Sequence, residues 1–242
     1  MKRFLMAVSF LTVVPVCLKE APRPGDQGKA AGWYPFVGAL IGLLVAAAYW
    51  AFSLIFPSVL VATLTALIWI GVTGGLHLDG LADSCDGLLN SSSAERRLEI
   101  MKDPRLGTFG GIGLVLAILL KVACLVSLSG AVVWIAVPLA TTVARWLLLP
   151  AAKQPLARPG GMGADFANGL NKAVFFQAGL VVAVLTAFAG WQGLLVILVV
   201  HFTTWIILRA ANVRLGGVTG DVFGLVVELA ELVTLLGFCV RL

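Results

Sequence analysis

Charged side chains are missing from two long stretches of the chain, between Lys29 and Asp79 and between Lys172 and Arg209. Each gap is long enough for two apolar helices of about 20 residues, the length needed to cross a bilayer core. Extending the apolar pattern to the rest of the chain predicts spans at roughly 31–56, 57–77, 107–129, 131–150, 173–190, 191–210 and 222–240. The turns between them alternate in character. Those at Pro57-Ser58, Ser129-Gly130 and Gly190 to Gly193 are uncharged. Lys19, Arg23 and Lys29 precede the first span, and Arg96, Arg97, Lys102 and Arg105 follow the second. Lys153, Arg158 and Lys172 follow the fourth, and Arg209 and Arg214 the sixth. All the basic loops therefore fall on one side, which the positive-inside rule makes cytoplasmic, with the C-terminus outside.

Composition agrees: 60% of the 242 residues are hydrophobic and 12% charged, with a mean hydropathy of +1.02. The expected architecture is an all-α, polytopic integral membrane helix bundle of about seven transmembrane helices, a single domain over residues 1–242. Residues 1–29 are set apart as a short N-terminal segment, interfacial or re-entrant, because the apolar stretch from Phe4 to Leu18 is too short for a comfortable crossing. Trp33, Trp50, Trp134 and Trp191 fall near predicted span ends, as an interfacial belt would require, although packing alone explains any one of them. Four scattered cysteines have no metal-ligand spacing and imply neither a disulfide framework nor a zinc site. The net charge of +5 is dispersed over several loops, so no nucleic-acid surface is implied.

The candidate chemistry starts where the first gap ends. Asp79, Asp83 and Asp86 stand at positions i, i+4 and i+7, and on a helix they share one face within about 60°. Their repulsion calls for a cation. An all-oxygen donor set favours Mg2+, or Mn2+, over zinc. His77 points nearly the other way on the same helix and is a weaker ligand candidate. Gly80 and Gly87 permit close approach of a phosphate or a neighbouring backbone.

Downstream, Lys102, Asp103 and Arg105 lead into Gly107-Thr108-Phe109-Gly110, the entry of the next span. The N-terminus of that helix faces the cytoplasm and favours an anion, so Lys102 and Arg105 are candidate phosphate contacts, with Gly107 and Gly110 beside them. Asp221 follows Thr219-Gly220 at the start of the last span and is read either as part of a helix cap with Thr219 or as a further metal ligand or base. Arg209 lies on the same face and joins the substrate-binding candidates. Lys121, Arg145, Glu228 and Glu231 lie within spans, where pairing with one another is the expected role.

The string His77-Leu78-Asp79-Gly80-Leu81-Ala82-Asp83, with Asp86-Gly87, Met101-Lys102-Asp103, Arg105, Gly107 to Gly110 and Thr219-Gly220-Asp221, resembles the cobalamin (5'-phosphate) synthase family. The resemblance spans nearly the whole chain. It implies a Mg2+-dependent transferase of a bacterial or archaeal cytoplasmic membrane, with its active site facing the cytoplasm. A ribose hydroxyl of α-ribazole, or of α-ribazole 5'-phosphate, would attack adenosylcobinamide-GDP and release GMP. Asp79, Asp83 and Asp86 would be metal ligands, Lys102 and Arg105 diphosphate contacts, and Asp103 or Asp221 an extra ligand or general base. Membrane lipid surrounds such an enzyme, and a homo-oligomer is compatible with it. The clustered aspartates partly match the pattern of CDP-alcohol phosphotransferases, but Ala82 is followed by Asp83 where that pattern expects arginine. An ion transporter would need ionisable residues across the membrane depth, whereas this chain gathers them on one face.

Overall fold

A computed structural model describes residues 1–18, 21–158 and 161–240, without side chains for residues 161 and 162. Lys19, one of the basic residues assigned above to the cytoplasmic side, lies outside the described residues. The chain forms helices α1 (Lys2–Leu11), α2 (Asp26–Ala30), α3 (Tyr34–Ser53), α4 (Ser58–Thr73), α5 (Leu76–Leu89) and α6 (Ala94–Ile100). They are followed by α7 (Thr108–Ser127), α8 (Gly130–Ala151), α9 (Gly161–Gly169), α10 (Lys172–Phe188), α11 (Gly190–Leu215) and α12 (Gly220–Cys239). Among the described residues there is no strand, only an isolated bridge between Leu156 and Val218. The fold is the expected all-α polytopic membrane bundle.

Five segments are long and apolar enough to cross a membrane unbroken: 26–53, α7, α8, α11 and α12. Two bent pairs, α4 with α5 and α9 with α10, bring the number to seven if each counts as one span. Six of the seven predicted spans match a helix to within a few residues at each end. The sixth predicted span, 191–210, is a longer helix that carries Arg209 and Arg214 inside it. Arginine side chains can extend to the headgroups while their backbone stays helical, so a charge need not end a span. The second predicted span, 57–77, stops at Thr73. Gly74 and Gly75 take φ values of 66° and 68°, a left-handed conformation that side-chain-bearing residues rarely adopt, and α5 then leaves at 91° to α4.

α8 is the centre of the bundle. It is packed most extensively by α3 on one side and by α12 on the other, and Val133, Val137, Ala140, Val143 and Ala144 are fully buried on it. By contrast α7, α10 and α11 present Leu116, Leu119, Phe176, Leu180, Leu198 and Phe202 outward, as lipid-facing helices do. α1 tucks Met6, Ala7 and Leu11 into the core against α2 and α3. Its ten residues reach about 15 Å, half the hydrocarbon thickness, so it does not span.

Inside the bundle, α7, α8 and α12 exchange four charges. Lys121 Nζ donates to Glu228 Oε2 at 2.9 Å and Glu231 Oε2 at 2.8 Å, and it sits 4.5 Å over the Trp69 ring. Arg145 pairs with the other oxygen of Glu231. All four are almost wholly buried. Two cations and two anions sum to zero, and this closed set is the structural pairing expected for them.

Candidate active site

α5 packs across α12 with almost no clearance. A β-carbon at Gly80 would lie 2.8 Å from the carbonyl oxygen of Asp221, and one at Gly224 would lie 2.8 Å from that of His77. Two glycines thus let the backbones touch, and the touch brings Asp79 and Asp83 of α5 beside Asp221 at the first turn of α12. The Asp83 carboxylate lies in the repulsive field of Asp221, Asp79 and Asp86, opposed by Arg158. Thr219 caps α12, its Oγ accepting from the Val222 amide at 3.3 Å and donating to Asp221 Oδ2 at 3.2 Å. The cap reading of the Thr219-Gly220-Asp221 motif thus holds for Thr219, and the same hydroxyl also orients the Asp221 carboxylate.

Asp86 has a different position. Its Oδ2 accepts from the Gly107 amide at 2.8 Å and its Oδ1 from the Gly110 amide at 2.9 Å. Charge-assisted bonds at a helix N-terminus favour a carboxylate strongly. The anion that the entry of α7 was expected to hold is thus the Asp86 side chain. A side chain at Gly107 or Gly110 would collide with that carboxylate. Asp86 therefore locks α7 to α5, and helical arithmetic on α5 alone could not reveal it.

The C-terminus of α5 is fastened too. Arg97 Nη1 donates to the carbonyls of Gly87 and Leu88 at 3.0 and 2.7 Å, and Arg214 reaches the Leu88 carbonyl as well. Cations on these terminal carbonyls complement the helix dipole. With both ends tied, the acids on α5 are held in place.

Arg158 was missed as an individual site residue, although its loop was expected on this face. Ala157 N donates to Val218 O at 3.0 Å and Val218 N to Pro155 O at 2.8 Å, which straps the loop to the entry of α12. Arg158 Nη2 also donates to Leu98 O at 2.7 Å. The strap places a cation where it acts on both Asp83 and Asp221.

The remaining candidates lie further out. Arg105 forms a two-pronged pair with Asp103, at 2.9 and 2.6 Å, in the exposed loop before α7, and Lys102 is exposed in the same turn. Hydrogen bonds from Arg105 hold the Asp103 carboxyl down to about 2. Asp103 is thus taken up by Arg105 in an exposed loop, whereas Asp221 lies beside Asp79 and Asp83. Arg209 stacks 5.8 Å over Trp205 on the exposed side of α11 and is not in the wall of the cavity described next.

A cavity of about 210 Å³ opens beside the acids, with Asp79 and Asp221 in its wall. His77, expected to turn away from the acids, borders the same cavity. Tyr34, Phe166 and Phe223 supply much of the remaining wall.

Mg2+ is the cofactor that the family resemblance implies. Among the described residues no three His, Cys, Asp or Glu side chains close into a metal-holding group. Magnesium, however, usually takes one or two carboxylates and completes its shell with water and substrate phosphate. Two carboxylates, Asp79 and Asp83, fit that donor set, with Asp221 beside them and Asp86 engaged elsewhere.

Comparison with known proteins agrees in length and order. A family model described as cobalamin-5-phosphate synthase matches residues 3–239. A protein of Ectopseudomonas mendocina named adenosylcobinamide-GDP ribazoletransferase is 40% identical over 245 residues, covering 98% of both chains. Proteins of the same name from Pseudomonas fluorescens and Pseudomonas aeruginosa are 38% and 40% identical. The first alignment covers 97% of each chain; the second covers 96% of this chain and 95% of the relative. No solved structure matches the chain.

Proposed function

Because the chain belongs to the cobalamin-5-phosphate synthase family, we propose that it joins α-ribazole, or its 5'-phosphate, to adenosylcobinamide-GDP with release of GMP. The observation that carries this reading is the meeting of Asp79 and Asp83 with Asp221 across the Gly80–Gly224 contact, beside a cavity whose wall includes Asp79 and Asp221. A ribose hydroxyl attacks the phosphorus attached to the corrinoid. One P–O bond forms to the acceptor, and the P–O bond to GMP breaks. Asp221, oriented by Thr219, receives the hydroxyl proton. Asp79 and Asp83 would hold Mg2+, which when bound would neutralise charge on the diphosphate and on the departing phosphate. Arg158 lies beside the same acids and steadies phosphate charge there, while Lys102 and, after exchange from Asp103, Arg105 reach outer oxygens. Phosphoryl transfer asks mainly for positioning and electrostatics, which fits a site built from fixed helix ends. The gathering of basic loops on one side supports a site at the cytoplasmic face of the membrane.

The test is direct. Purified protein incubated with adenosylcobinamide-GDP, α-ribazole 5'-phosphate and Mg2+ should yield GMP and the completed corrinoid in equal amounts. EDTA should stop the reaction and excess Mg2+ restore it. Release of GMP without the completed corrinoid, or no release at all, would refute the assignment.

A further inference from the structure

We propose that the cavity beside Asp79 and Asp221 receives the planar heteroaromatic base of the acceptor nucleoside, stacked on its aromatic wall. This inference rests on the proposed reaction and adds where one of its substrates sits.

The wall is a built aromatic surface. The rings of Tyr34 and Phe166 lie 5.7 Å apart and within 15° of parallel, and Phe10 stacks on the other side of Tyr34 at 5.5 Å and 16°. Phe223 meets Phe166 edge-on at 6.2 Å. Gln27 Nε2 donates to the Tyr34 hydroxyl at 2.6 Å and fixes that ring. Flat π-faces of this kind attract a flat base.

His77 also borders the cavity and is 5% exposed.

Size and charge select among the substrate parts. The volume of about 210 Å³ falls below that of pockets for drug-sized ligands, which begin near ~300 Å³, and a corrin ring is excluded. Among the described residues no lysine or arginine lines the cavity, so they offer the donor's diphosphate no cation there. Guanine would bring several edge donors and acceptors into a wall with few partners, and unpaired polar groups are costly. An apolar bicyclic base with one or two ring nitrogens meets neither objection. Its attached ribose would then lie toward Asp79 and Asp221, where the attacking hydroxyl must lose its proton.

The experiment measures equilibrium binding of α-ribazole alone, without donor, to the full-length protein in nanodiscs. Phe166→Leu and Phe223→Leu keep an apolar side chain but remove the π-face. Each should weaken binding about tenfold, the loss expected when a base loses one stacking partner. The KM for the acceptor should rise by a similar factor, with the KM for adenosylcobinamide-GDP within about twofold of the unaltered protein. Unchanged ribazole affinity in both variants, or a rise confined to the donor KM, would overturn the inference. A photoreactive ribazole on the unaltered protein gives the same answer without any variant: labels on α9 or α12 near Phe166 or Phe223 support the site, and labels elsewhere overturn it. Labelling at these rings without GMP release would sink the proposed reaction and leave the base site standing. GMP release with labels elsewhere would sink the site alone.

Discussion

Asp83→Asn is expected to lower GMP release by about a thousandfold, the scale on which removal of one well-placed electrostatic group acts on a transition state. The substitution keeps shape and removes one negative charge from a cluster that also contains Asp79, Asp86 and Asp221. Like charges held together oppose folding, so the variant should insert, purify and melt at a temperature equal to or above that of the unaltered protein. Activity and stability are thus expected to move in opposite directions or only one of them to move. The check is single-turnover GMP release together with thermal melting in one detergent. Near-normal turnover removes Asp83 from the site, and a joint loss of activity and melting temperature makes Asp83 a structural residue.

Lys121→Met should have the largest effect on stability. It removes one of two cations from the buried four-charge set and leaves Glu228 without its 2.9 Å partner. Breaking a buried pair by deleting one member costs about 3–5 kcal/mol in soluble proteins, because a desolvated charge is left behind. The cation–π contact with Trp69 is lost as well. Adding Glu228→Gln should recover much of the loss, since the remaining Arg145–Glu231 pair is neutral overall. Thermal melting of the single and double variants tests this. Equal stability of Lys121→Met and the unaltered protein would show that the network contributes little, and an unimproved double variant would show that charge balance is not its basis.

The spans were legible because bilayer-crossing helices must be apolar over their whole length, and the charge-free runs before Asp79 and before Arg209 have no other economical explanation. The side on which Arg158 and Asp221 would lie could be read from the same alternation. What escaped was long-range. The Gly74-Gly75 bend lies within an apolar run and leaves no break in hydropathy. Asp86 sits on the face that helical spacing assigns it, yet the amides it accepts from belong to α7, more than twenty residues away. Arg97 and Arg214 looked like loop charges but hold the end of α5. The aromatic wall joins Phe10, Tyr34, Phe166 and Phe223 from four separate segments, with no local pattern to mark them. Asp79 and Asp83 stand out in the sequence by the one-face spacing they share with Asp86, and Asp221 by its place after Thr219-Gly220 at the head of a span; the structure brings these three near one another.

Asp79 and Asp83, beside Asp221, are expected to hold a divalent ion against the donor's diphosphate. Mn2+ substituted for Mg2+ in the purified protein, with adenosylcobinamide-GDP bound, reports this through its electron paramagnetic resonance. The account predicts a protein-bound Mn2+ spectrum with coupling to donor phosphorus, lost in Asp79→Asn and Asp83→Asn. A spectrum of free Mn2+ in the unaltered protein, or phosphorus coupling that persists when both acids are replaced, would contradict it.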